Sequence, residues 1–226
     1  MIAVQWVWLA GLAFFVTHLG VSSTGLRGVL QARLGAQGYL GLYSAFAFVT
    51  LALLIFTYTH TPHAPLTWLP LYAVPKLVMP VALFFIVGGF TVPNPTAVGA
   101  EKILERTDAA RGVLRITRHP FLWATALWSG AHLLVTGHVA AILFFGTLLV
   151  TALRGTGSID EKRRRTNKAE FERYLEITSN LPFAAIIQGK NRLAWSELWV
   201  PSVIAALLLA VLLKVHLRLF GFSPFG

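Results

Sequence analysis

The sequence predicts an all-α fold: a polytopic membrane helical bundle of about six transmembrane helices, both termini outside, with a basic cytoplasmic helix between spans five and six. Three observations predict it. Of 226 residues 56% are hydrophobic and only 12% charged, against about 25% charged in soluble domains. The apolar residues fall in runs long enough to cross a bilayer, which takes roughly 20 of them. The basic residues are confined to alternate connections between those runs.

Six stretches qualify, near Ile2–Ser22, Tyr39–Tyr58, Val74–Val92, Pro120–Val135, Val139–Leu153 and Leu198–Leu213. They read as helices, because a spanning segment must satisfy its own backbone hydrogen bonds. Runs such as Val203–Leu213 also lack the alternation of a barrel strand. The first stretch has no basic start, and Val21-Ser22-Ser23 only approaches a cleavage site, so it reads as a retained helix. Only Thr136-Gly137-His138 separates the fourth and fifth, which predicts a tight hairpin. Gly35, Gly38 and Gly41 put backbone freedom at the entrance to the second.

Orientation follows from the 19 Lys and Arg. Two (Arg27, Arg33) follow span one. Five (Lys102, Arg106, Arg111, Arg115, Arg118) follow span three, and nine between Arg154 and Arg192 follow span five. Only Lys76, Lys214 and Arg218 lie on the other side, so the long connections are cytoplasmic. The whole chain, 1–226, reads as a single transmembrane domain with a cytoplasmic loop at about 154–195. Within that loop Ser158–Glu176 reads as a charged helix with Phe171, Tyr174 and Leu175 on one face, suited to lying on the inner leaflet. Asn180–Gln188 is apolar but too short to span.

The net charge of +10 then reflects loops facing anionic membrane lipid, and no nucleic-acid module is present. The absence of Cys excludes disulfides, thiolate ligands and iron–sulfur clusters. There is no P-loop, Gly-x-Gly-x-x-Gly, His-Glu-x-x-His or Gly-x-Ser-x-Gly motif.

Ionisable residues inside spans are functional candidates. His18 lies in span one, with Phe14, Phe15 and Gly11 at helical spacing. His132 lies in span four, with Ser129, Trp128 and Thr125. An imidazole among aromatics and glycine suits a flat macrocycle held by a metal bond. A histidine hydrogen-bonded between helices would look the same. Arg118-His119-Pro120 opens span four with Pro at the first helical position, beside a helix N-terminus that attracts anions. Arg118 and His119 are therefore either interfacial anchors or a clamp for a propionate, phosphate or cofactor carboxylate. His60, His63, His138 and His216 read as interfacial side chains.

Arg115-Ile-Thr-Arg118-His119-Pro120-Phe121, then Leu127-Trp-Ser-Gly-Ala-His132-Leu-Leu134, Gly137-His138 and Leu143-Phe-Phe-Gly146, together resemble the NnrU family. So does His18 followed by Gly35-x-x-Gly38-Tyr39 and Tyr43-Ser44. The resemblance covers most of residues 5–165. That family is linked to denitrification genes in bacteria and is related to zeta-carotene isomerase, a membrane haem b enzyme that turns a cis double bond of a carotenoid to trans. The resemblance implies haem b, with His18 and His132 as axial ligands and catalytic residues. It further implies His119, Arg118 and Arg27 as cofactor-binding residues, a carotenoid-like lipophilic substrate, and the bacterial inner membrane as the location. A role as an assembly or regulatory partner of respiratory membrane proteins is open on the same resemblance.

A second resemblance runs through Arg118-His119-Pro120, Asp160-Glu161, Phe171-x-x-Tyr174 and Leu181-Pro182. It is similar to the tail of isoprenylcysteine and phospholipid methyltransferases, and implies S-adenosylmethionine held around Arg118, His119, Asp160 and Glu161. The tyrosine after Arg-His-Pro in those families is missing here, and their Glu-Glu and Phe-Gly stand as Asp-Glu and Phe-Glu. Fold analogy does not by itself carry the reaction.

Overall fold

The computed structural model describes residues 2–21, 25–63, 71–97, 99–106 and 108–225. Among them the regular structure is helical throughout. Helix α1 (Val4–Phe15) runs on into a π-helical turn, Val16–Val21. Next come α2 (Gly25–Thr59), α3 (Ala73–Thr91), α4 (Pro120–Leu133), α5 (Val139–Thr166), α6 (Lys168–Ile177), a single turn α7 (Ala184–Ile187) and α8 (Trp195–Phe220). Five helical segments are long and apolar enough to cross a membrane: Val4–Val21, α2, α3, α5 and α8. The chain is thus an all-α, multi-pass membrane protein. Helix α4 has 14 residues, about 21 Å at 1.5 Å per residue, shorter than a full crossing. Whether the first helix continues through Ser22, and with it the Val21-Ser22-Ser23 reading, lies outside the described residues.

The helices carry the imprint of their solvent. Val7, Ala10 and Phe14 bury one face of α1, while Trp6, Trp8, Leu9 and Leu12 stay exposed. In water such an apolar face would be a liability, but in a bilayer it meets acyl chains. Gly35 (φ 71°, ψ 166°) breaks α2 into two helical pieces, in the left-handed region that glycine enters without steric penalty.

The chain contacts define two compact units. The first comprises residues 1–71 and 129–158. In it α1 packs along α2 and approaches α5 closely at Gly11, where a Cβ would stand 2.7 Å from Thr147 Oγ1. That close approach falls at Gly11 and not at Gly130, whose Cβ would meet only Leu149 at 4.0 Å.

The second unit comprises residues 72–128 and 159–226. Helix α3 packs on α8, and Phe85, Val113, Ile116, Ala124 and Leu198 form a core. Gly88 lets α3 meet the segment before α4, since a Cβ there would lie 2.9 Å from Val113 Cβ. Gly88→Ala should therefore destabilise the protein by about 1–3 kcal/mol through overpacking, measurable as a lowered unfolding midpoint in detergent.

The charged segment after span five departs from expectation. Helix α5 continues to Thr166, so the connection proper begins at Asn167. Helix α6 is amphipathic, as its sequence requires. Its apolar side, Phe171 and Tyr174, packs on Leu104, Ala109 and Ala110 of the protein itself, where the sequence alone suggested the inner leaflet. The stretch 180–188 neither spans nor lies apart. Phe183 N–H donates to Ile116 O at 2.8 Å and Arg118 N–H to Ser179 O at 3.0 Å. Thr117 Oγ1 donates to Asn180 O at 2.6 Å. These bonds hold Phe183 at φ 66°, a conformation that costs a non-glycine residue about 1 kcal/mol or more.

Candidate functional site

In the first unit His18 sits on the π-helical turn. Such turns widen the helix by one residue and recur at functional sites. His18 Nδ1 lies 2.9 Å from Phe14 O, so the proton is on Nδ1 and donates to the carbonyl. That fixes the tautomer and orients the ring, as metal-bound histidines generally require. The Phe14 ring lies 4.0 Å away and the Tyr43 ring 6.3 Å away, edge-on. Tyr39 stacks on Tyr43 at 5.9 Å, and the Arg27 guanidinium stands 5.8 Å above Tyr39. The structure therefore joins His18 to Arg27 through a row of two tyrosines.

His132 belongs to another aromatic group, its ring stacked on Phe145 at 5.0 Å. Phe145 lies edge-on to Tyr58, which also stacks on Phe144 and His63. The Gly11–Thr147 approach sets the relative heights. The starts of α1 and α5 both meet the end of α2, since Ile2 N–H donates to His60 O and His138 stacks on His63. The two helices therefore run the same way. His18 is seven residues beyond Gly11 and Phe145 two before Thr147, which separates their levels by about 13 Å along the axis.

The second unit places Arg118 and His119 together, on an acid 41 residues away from the histidine. Arg118 Nε donates to Asp160 Oδ1 at 2.9 Å, and its Nη2 donates to Oδ2 at 2.5 Å. His119 Nε2 donates to Asp160 Oδ1 at 2.8 Å. Arg118 and Asp160 are almost wholly buried and His119 is 2% exposed. Burial holds the His119 pKa below the usual histidine range against the opposing pull of Asp160, so the ring is neutral and its Nδ1 is a lone-pair acceptor. That Nδ1, the Tyr174 hydroxyl and Arg163 Nε are buried without hydrogen-bond partners among the described residues. Arg163, one turn after Asp160, pairs with Glu101 and donates to Ala97 O at 2.5 Å. Glu161 turns the other way and pairs with Arg165 at the exposed surface.

The histidines between the helices behave unlike interfacial anchors in one case. His63 and His138 stack at 4.2 Å with 14° between their planes, and His138 is 9% exposed. Sequence reasoning missed this pair. The available signal was that His138 immediately precedes the fifth helix, where a cap acceptor is needed.

Among the described residues no group of three or more His, Asp or Glu is placed to hold a metal ion on its own.

A 15-cis-zeta-carotene isomerase, chloroplastic, of Arabidopsis thaliana is 27% identical over 189 residues, 80% of this chain and 50% of that protein. The corresponding protein of Zea mays is 35% identical over 82 residues, 36% of this chain and 22% of that protein. The chain thus spans half or less of the length of these relatives. No solved structure matches it. The profile of the NnrU protein family matches residues 6–224, nearly the whole chain, and the chain belongs to that family.

Proposed function

We propose that this protein is a haem b protein of the bacterial cytoplasmic membrane that isomerises a cis double bond of a carotenoid-like polyene in a redox-dependent way. The observation that carries the reading is His18, an imidazole on a π-helical turn whose Nδ1 proton is committed to the Phe14 carbonyl. When bound, haem would supply an iron centre able to share electron density with a double bond brought against it.

The chain's own residues have defined tasks. Phe14 O holds the His18 ring in one orientation, and Phe14 and Tyr43 flank it. Arg27, at the end of the tyrosine row, is the cation for an anionic propionate. The exposed apolar faces of α1 and α2 admit a lipophilic substrate from the bilayer. His132 is the second axial candidate. The separation of about 13 Å along the helix axis between His18 and Phe145, on which His132 stacks, weighs against both imidazoles holding one iron, and the oriented ring of His18 makes it the better supported of the two.

The names of the plant relatives support an isomerase reading, and the family supports a membrane setting. For the methyltransferase reading, Arg118 and Asp160 bind each other and Glu161 faces Arg165. Of those four residues His119 has a buried atom, Nδ1, without a hydrogen-bond partner among the described residues.

The test is an absorption spectrum of the full chain purified after expression with ample haem. A Soret band is expected in the wild type and is lost in His18→Ala. His132→Ala, run beside it, loses the band only if both imidazoles hold one iron. Wild-type protein without haem sinks the proposal, and saturable S-adenosylmethionine binding abolished by His119→Ala would replace it.

A further inference from the structure

His63 follows α2, and His138 caps α5. His138 Nδ1 accepts the Ala141 amide at 3.1 Å, while the His138 carbonyl accepts the Ala141 and Ile142 amides. The proton of the neutral ring is therefore on Nε2. His63 Nε2 donates to Tyr58 O at 3.3 Å. The two rings lie face to face at 4.2 Å, with Tyr58 5.2 Å from one and 6.1 Å from the other. By the distribution of Lys and Arg this end of the unit is extracytoplasmic.

We propose that the His63–His138 stack is an acid-sensitive latch that fastens the α4–α5 hairpin to the end of α2 and opens when the extracytoplasmic side is acidified. Three features of the geometry make protonation of His138 disruptive. A proton on Nδ1 abolishes the acceptor that caps Ala141. The new charge sits at a helix N-terminus, where the macrodipole is already positive. It also faces a second imidazole at stacking distance, whose electrostatic influence opposes a charge on His138.

Other groups at this end do not offset that charge. Helix α2 brings the Tyr58 phenol, and α4 brings His132, which reaches the group through Phe145. Helix α1 arrives through the Ile2 amide, which donates to His60 O. Among the described residues the ionisable neighbour whose charge bears on His138 is His63.

The sign follows. Burial, and then His63, push His138 from the ordinary 6.5 down to about 4. The folded state therefore favours the neutral ring. The latch is at full strength above about pH 6.5 and weakens progressively as pH falls toward 4.

The chain has no cysteine, so nitroxides can be placed on T59C and V139C in the full protein in lipid nanodiscs. The expected result is a separation that lengthens and broadens between pH 6.5 and 4. Amide exchange at Ala141 should rise roughly tenfold over its intrinsic pH dependence. His138→Asn keeps a capping acceptor that does not titrate, and should hold the short separation at both pH values. His63→Phe keeps a stacked ring without a second charge, and should move the midpoint upward. A wild-type separation indifferent to pH overturns the proposal. So does H138N moving as far as wild type, H138N already open at pH 8, or an unmoved midpoint in H63F.

Discussion

Replacing Asp160 by alanine will lower the stability of the protein by about 3–5 kcal/mol, the range for removing one partner of a buried ion pair. The carboxylate accepts from Arg118 and His119 at once. Among the described residues its removal leaves a guanidinium with only the distant Thr178 carbonyl, at 3.5 Å, and an imidazole N–H with no acceptor. The penalty is mostly that of a charge left without a counter-charge away from water. Arg118→Met combined with Asp160→Leu should therefore recover much of the loss, because no lone charge remains. The recovery will be incomplete, since His119 still lacks its acceptor. Unfolding followed by tryptophan fluorescence in detergent reads all three proteins. An Asp160→Ala midpoint within about 1 kcal/mol of wild type would show that Arg118 finds water or another partner, as a surface pair would.

The parts of the molecule that lipid dictates were legible in the sequence. A bilayer imposes length and composition on each crossing, so Val74–Val92 and α3 differ by a residue at each end, and α8 contains Leu198–Leu213 whole. Glycine at 35 announced a break because few other residues enter the left-handed region. What could not be read was pairing across long separations. Arg118 and His119 advertised a clamp for an anion. The anion they meet is Asp160, 42 residues from Arg118, and no periodicity reports that α5 keeps its helix far enough past the apolar run to deliver it. His63 and His138 lie 75 positions apart and stack only because the hairpin returns to the end of α2. The levels of His18 and His132 depended on which residues of α1 and α5 touch, and Gly11 against Thr147 settles that contact.

The same distinction decides what α6 does, and Phe171→Ala tests it. Its 3.6-residue pattern puts Phe171, Tyr174 and Leu175 on one side, a pattern that serves equally for a helix on the membrane surface and for one packed on protein. On a membrane, truncating one aromatic side chain changes partitioning and leaves folding stability nearly untouched. In the structure Phe171 is fully buried and packs with Leu104, Ala109, Ala110 and Tyr174. Removing its ring opens a cavity among small residues that cannot close over it, and should destabilise the protein by about 3–5 kcal/mol. Phe171→Leu, which refills most of the volume, should lose less than half of that. The loss should also be felt at Arg118. Tyr174 shares the Phe171 face, and its hydroxyl, with a pKa raised far above the ordinary value by burial, is held neutral beside the Arg118–Asp160 pair. If Phe171→Ala unfolds at the wild-type midpoint in detergent, α6 rests on lipid after all, and the buried arginine is shielded by something other than this helix.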